Sequence, residues 1–266
     1  MDHTGQTALI TGASAGIGAG YARDLAARGA DLILVARRED KLEALAVELR
    51  AAHGREVDVL AADLAVDGAA RDLVARVDAL GRTVDILVNN AGIGTQGLVA
   101  DTDPDRLIAQ VRLNCVAVVD LTRRLLPGMI ERGRGTVINV ASGAAFQPMP
   151  HLAVYAATKA FVLSFSEALW AETRPNGVRV IAVCPGATRT EFFEANGTEV
   201  VTATGIRTPE QVVKSTRAGL RRGRPSVVDG TVNALLALLP RVLPRRVSIA
   251  VAGRVARPSK SPAPVA

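Results

Sequence analysis

The chain has 266 residues, a length ordinary for one α/β unit, and 48% of them are hydrophobic, enough to fill a core. The net charge is +6 and the isoelectric point lies near 10.0, yet the arginines are scattered and aromatics make up only 3%, which argues against a stacking platform for nucleic-acid bases. Ala8-Leu9-Ile10 is too short for the apolar part of a secretory leader, and the apolar stretch 234–255 is broken by Pro240, Arg241, Pro244, Arg245 and Arg246, so no run supplies the ~20 apolar residues of a spanning helix.

In chain order, short apolar runs alternate with amphipathic stretches. Strands are predicted over Thr7–Ile10, Leu32–Ala36, Val57–Ala61, Ile86–Asn89, Thr136–Val140 and Val178–Cys184. Helices are predicted between them, over Ile17–Arg28, Glu39–Ala52, Ala69–Leu80, Asp105–Arg132 as one helix or two, and Val154–Glu172. Asp103-Pro104 and Thr208-Pro209-Glu210-Gln211 carry helix-start signals, a capping side chain followed by proline. Strand–helix–strand repetition predicts a doubly wound parallel sheet, Rossmann-like, as a single domain over 1–256. Beyond Gly219 the pattern weakens: Val227-Val228 reads as a last short strand, Thr231–Leu239 and Val247–Val255 as helices, and 257–266 as a disordered tail.

Thr11-Gly12-Ala13-Ser14-Ala15-Gly16-Ile17-Gly18 follows the first strand. Glycines there allow a tight turn and close backbone approach to a pyrophosphate, and the next helix offers it amide groups. The second strand ends Ala36-Arg37-Arg38. A carboxylate at that tip would hold a ribose 2′-hydroxyl, whereas guanidinium forks suit a 2′-phosphate. The reading is therefore NADP(H) over NAD, through Arg37 and Arg38.

Tyr155 and Lys159 are four apart on a predicted helix and share one face. A phenol is a poor base at neutral pH, and an adjacent ammonium is expected to lower its pKa. Ser142 follows the fifth strand at its carboxyl end, where ligands of open parallel sheets bind.

These residues together resemble the short-chain dehydrogenase/reductase family, in its common single-domain branch. Thr11–Gly18 matches the family's T-G-x-x-x-G-x-G, and Asn89-Asn90-Ala91-Gly92 matches its N-N-A-G. Asn114, Ser142, Tyr155 and Lys159 match its catalytic tetrad, and Pro185-Gly186 with Thr190 matches its P-G-x-x-x-T, so the likeness covers roughly residues 5–195. The resemblance implies an oxidoreductase moving a hydride between nicotinamide and a carbonyl or secondary alcohol. Tyr155 would be the general acid or base, Lys159 would bind the nicotinamide ribose, Ser142 would polarise the carbonyl, and Asn114 would hold a relay water. It also implies cofactor contacts from Gly12, Ser14, Gly16, Ile17, Gly18, Asp63, Leu64, Asn90, Ala91, Gly92, Tyr155, Lys159, Pro185, Gly186, Thr188 and Thr190, and a homodimer or homotetramer. A non-catalytic NADP-binding sensor of the same fold is the alternative, and the intact tetrad argues against it.

Other segments are read as follows. Phe146, Gln147, Met149, His151 and Leu152 are expected to border a lipophilic small-molecule substrate, and Phe192 and Phe193 to line its pocket. Glu191–Arg207 is read as a lid. Segment 234–257 reads as packing within the subunit or at an oligomer interface, with peripheral membrane contact as the sharper alternative. Cys115 and Cys184 lie in apolar runs without a secretory context, so a reducing, cytoplasmic compartment is expected. No metal-ligand cluster is expected.

Overall fold

A computed structural model describes residues 2–191 and 205–257. Seven parallel strands form one sheet: β1 (Thr7–Thr11), β2 (Asp31–Ala36), β3 (Val57–Ala61), β4 (Val84–Asn89), β5 (Gly135–Val140), β6 (Val178–Cys184) and β7 (Ser226–Val228). Their order is β3-β2-β1-β4-β5-β6-β7, so crossovers run outward in both directions from the β1–β4 pair. That pair is the topological switch point, where open α/β sheets leave a crevice at the carboxyl ends of the strands.

Helices between consecutive strands cover both faces. They are α1 (Gly16–Ala26), α2 (Glu39–His53), α3 (Ala69–Ala79), α4 (Pro104–Val111), α5 (Ala117–Glu131), α6 (Ala153–Thr173) and α7 (Pro209–Arg221), followed by α8 (Thr231–Val242) and α9 (Arg245–Val255). Side chains alternate across each strand, and both layers are apolar. Ala8 and Ile10 of β1 pack with Tyr21, Leu42, Leu49 and Val212, while Leu9 packs with Leu73, Leu121 and Met129. Near-continuous apolar strand sequences follow from this double burial.

The sequence boundaries hold to within about two residues for most elements. The 105–132 prediction resolves into α4 and α5, joined by a wide π-helical turn over Arg112–Val116. The capping box at Thr208 is present, with the Thr208 hydroxyl accepting from the Gln211 amide and the Gln211 side chain accepting from the Thr208 amide. Of the predicted tail, only Arg257 lies within the described residues.

Candidate active site

The crevice is assembled around Thr11. Its hydroxyl donates to the Val88 carbonyl (3.2 Å) and accepts from the Asn90 and Ala91 amides (3.0 Å each). The Asn90 amide group donates to the carbonyls of Thr11 (2.9 Å) and Gly12 (3.2 Å). The glycine turn and the N-N-A-G segment are thus one unit. Gly12 has φ +65°, and a Cβ there would sit 2.8 Å from Asn90 Nδ2. Gly18 lies directly on the Gly12 carbonyl, leaving no room for a side chain. Thr190 packs on Gly16, with 2.8 Å between its Cγ2 and a Cβ built there. The first motif asparagine, Asn89, is buried elsewhere: it donates to Thr122 Oγ1 (3.1 Å) and Asn139 Oδ1 (2.9 Å) in the sheet interior.

The tip of β2 forms an anion cradle. Arg38 donates to Ser14 Oγ (3.0 Å) and pairs with Glu191 (2.7 Å); Lys41 pairs with the other Glu191 oxygen (2.6 Å). Lys41 and then Arg38 hold the Glu191 carboxyl below the usual carboxylate range. An anion already seated on Arg38 and Lys41 shows that this position accepts negative oxygen, as a 2′-phosphate would require. Arg37 is exposed beside it. Sequence reasoning missed Lys41 and Glu191. For Lys41 a signal was present, since positions three apart in a first helical turn share a face. On the far side of β3, Asp63 is exposed and accepts from the Ala65 amide (3.0 Å), while Leu64 is buried.

Next to the crevice, Ser142 extends from β5, and its Oγ accepts from the Ala144 amide (3.1 Å). The Ser142 hydroxyl also hydrogen-bonds the Tyr155 phenol, which works against the rise in pKa that burial imposes on it. Lys159 is buried one turn along α6, with Nζ 5.9 Å from the Tyr155 ring centroid and donating to the Val140 carbonyl (2.8 Å). Burial lowers the Lys159 pKa to about 8.

This corrects the expected electrostatics. Tyr155 is shifted up, not down, because loss of water around the phenol outweighs its partners. The ammonium carries the opposite penalty from the same burial.

Asn114 sits in the π-helical turn, a local widening that often marks functional sites. Its Nδ2 donates to the Ile93 carbonyl (2.9 Å) and Thr158 Oγ1 (3.0 Å), and its Oδ1 accepts from the Ile93 amide (3.0 Å). A Cβ at Gly92 would lie 3.2 Å from Asn114 Oδ1 and 3.3 Å from Lys159 Nζ, so both groups flank that glycine. The four tetrad residues and the glycine turn therefore share one edge of the sheet.

The Pro185–Thr190 segment closes this edge. The Pro185 carbonyl accepts from the Gly143 amide (2.8 Å), and Thr188 Oγ1 donates to the Gly186 carbonyl (3.0 Å). Asn233 packs tightly on Gly186, so a side chain there would require the Asn233 carboxamide to move. Thr188 and Arg207 form a parallel bridge, and Arg207 makes a two-pronged pair with fully buried Asp229 (2.8 and 2.9 Å). Ser215 donates to the same carboxylate (2.6 Å). Neither Arg207 nor Asp229 stood out in the sequence, since partners 22 residues apart carry no local spacing signal. Phe192 and Phe193, and most of the segment read as a lid, lie outside the described residues. A hollow of about 520 Å³ lined by Asp2, Thr4, Arg28 and Arg55 opens at the opposite, amino edge and holds none of these groups. Among the described residues, no three His, Cys, Asp or Glu are grouped as a metal site.

A crevice at the switch point, a glycine turn opening a helix and an anion cradle define a dinucleotide-binding α/β protein with an acid–base group beside the cofactor crevice. Residues 6–200 match the family model described as short chain dehydrogenase. The chain belongs to that family of nicotinamide-dependent oxidoreductases. It is 38% identical to a very-long-chain 3-oxoacyl-CoA reductase of Phaeosphaeria nodorum over 82% of this chain and 64% of that one. It is 36% identical to the human 17-beta-hydroxysteroid dehydrogenase type 3 over 75% and 64% of the two chains. The chain thus spans about three fifths of the length of curated relatives it matches. Among solved structures, a short-chain dehydrogenase from Sphingobium yanoikuyae in complex with NADPH superposes with a TM-score of 0.80 at 33% identity, covering 90% of this chain and 97% of that one.

Proposed function

We propose that the chain is an NADP(H)-dependent oxidoreductase acting on a carbonyl or secondary alcohol, with Tyr155 as the proton-exchanging group. The observation that carries this reading is the convergence of Ser142, Tyr155, Lys159 and Asn114 on the edge that also holds the glycine turn. When bound, the nicotinamide would supply or accept the hydride. Ser142 would donate to the substrate oxygen and hold it against the phenol. Tyr155, held protonated by burial, suits delivery of a proton to that oxygen, the requirement of reduction. Lys159, with a pKa near 8, exchanges its proton close to neutrality and would replenish the phenol. Ser14 and Arg38, with Arg37 and Lys41 alongside, would take the 2′-phosphate, which favours NADP(H) over NAD.

A lipophilic substrate is supported by Phe146, Met149 and Leu152, which lie half-buried between Ser142 and Tyr155. It is also supported by the acyl and steroid substrates in the relatives' names. A homo-oligomer is supported by exposed Ile108, Val111, Val116 and Phe161 along α4, the π-helical turn and α6. A cytoplasmic location is supported by two buried, unpaired cysteines. The test is a panel of carbonyls and alcohols followed by NADPH absorbance. Tyr155→Phe is expected to lose turnover by ~10²-fold or more while still binding NADPH. Turnover surviving in that variant, or a wild-type preference for NAD, refutes the reading.

A further inference from the structure

The two C-terminal helices are built inside out. In α9 and its C-terminal cap, Ser248, Ala252 and Ala256 follow at intervals of four and are buried, while Val247, Val251 and Val255 on the adjoining stripe are 46 to 71% exposed. In α8 only Ala237 is buried; Leu235, Leu238, Leu239 and Val242, at helical spacing, are 44 to 78% exposed. The small residues face the protein and the large apolar ones face outward, the reverse of a helix packed on a core. The patch continues onto the 96–99 segment, where Gln96 donates to the Ala256 carbonyl (2.8 Å) and Leu98 and Val99 are exposed. An apolar surface of this extent marks an interaction site.

Charge identifies what covers it. From Thr231 to the end of the chain the sequence has five arginines, one lysine and no acidic residue. The whole net charge of +6 therefore resides there, and the first 230 residues hold 26 basic and 26 acidic side chains. Arg241, Arg245, Arg246 and Arg254 are all exposed around the apolar stripes. A second copy meeting this face across a two-fold axis would set the same arginines against themselves. An anionic lipid surface satisfies both features, since the apolar stripes enter the acyl boundary and the arginines meet the headgroups. Among the described residues no helix is long and apolar enough to cross a membrane.

The geometry points to α8 and α9 as a docking surface for an anionic bilayer. This assignment is independent of the proposed chemistry, although the Pro150 ring packs against Gly253 of α9 (3.1 Å to a Cβ built there) and so sets the patch beside the segment expected to border substrate. The experiment is co-flotation of the full chain with vesicles containing phosphatidylglycerol and with vesicles of phosphatidylcholine alone. Flotation is expected with the anionic vesicles, falling with added salt, and little with the neutral ones. R245Q/R246Q removes two cations at exposed positions; at ~fivefold per arginine the partition weakens about 25-fold. L235Q/L239Q/V251Q is expected to stay soluble. Both variants should keep the wild-type circular dichroism and NADP+ affinity, which separates lost docking from misfolding. Wild type failing to float with anionic vesicles overturns the assignment, as does flotation of both variants at the wild-type level. Sedimentation showing a wild-type oligomer that the apolar variant dissolves, without flotation, assigns the surface to a second copy instead.

Discussion

Lys159 gives the sharpest quantitative expectation, because its burial should cost stability at neutral pH. Its folded pKa is about 8 against an ordinary value of 10.5, and its side chain is only 5% exposed. The unfolded chain therefore holds more protons than the folded one between those two values, and stability rises with pH across that window. Below pH 8 both states are protonated and the full penalty applies, about 3 kcal/mol at ~1.4 kcal/mol per pKa unit. Lys159→Met keeps the bulk and removes the charge, but gives up the bond to the Val140 carbonyl, worth about 1 kcal/mol. The net expectation at about pH 7 is a gain of about 2 kcal/mol, or roughly 5 °C in Tm. At about pH 9.5 the remaining penalty falls to about 1 kcal/mol, and the two proteins should melt together. Urea and thermal unfolding of both proteins at each pH is the assay. A variant no more stable than wild type near neutrality, or an advantage that fails to shrink as pH rises, refutes the claim that burial depresses this lysine.

Four further expectations follow from the same geometry. Arg207→Met strands the fully buried Asp229 carboxylate with Ser215 alone, so urea unfolding should show a loss of about 3 kcal/mol; a loss under 1 kcal/mol counts against the clasp. Gly18→Ala forces a methyl group onto the Gly12 carbonyl, and calorimetry should find dinucleotide binding weakened at least tenfold, with near-wild-type affinity as the contrary result. Glu191→Gln frees Arg38 and Lys41 and should tighten NADP+ up to about fivefold, while NAD+ changes little; equal effects on both cofactors would place the carboxylate outside the 2′-phosphate cradle. Cys184, pushed up to about 12 by burial, should resist a thiol reagent in the native protein at about pH 8 and react only on unfolding.

The sheet was legible in sequence because parallel strands covered on both faces read as uninterrupted apolar runs, as in Leu32–Ala36 and Val178–Cys184. The edge that carries the candidate site was legible because glycine turns and the Tyr155–Lys159 spacing are local patterns. The π-helical turn at Arg112–Val116 was not, since its apolar spacing resembles that of a continuing α-helix. Long-range partners left no trace: Glu191 lies 150 residues from Lys41, and Arg207 meets Asp229 through a strand, β7, that only the fold brings close. The direction of the Tyr155 shift was misread because sequence spacing reports a neighbouring charge but not the water excluded around it.

The bridge between Thr188 and Arg207 has an evolutionary reach beyond its two hydrogen bonds. The Arg189 amide donates to the Arg207 carbonyl and the Arg207 amide to the Ala187 carbonyl, both at 2.8 Å, so residues 187–189 and Arg207 are clamped together. In general, doubling the length of a flexible segment between two fixed ends costs only about 0.6 kcal/mol of closure entropy. Chain length between the two clamp points can therefore vary while Tyr155, Lys159 and Ser142 keep their register on α6 and β5.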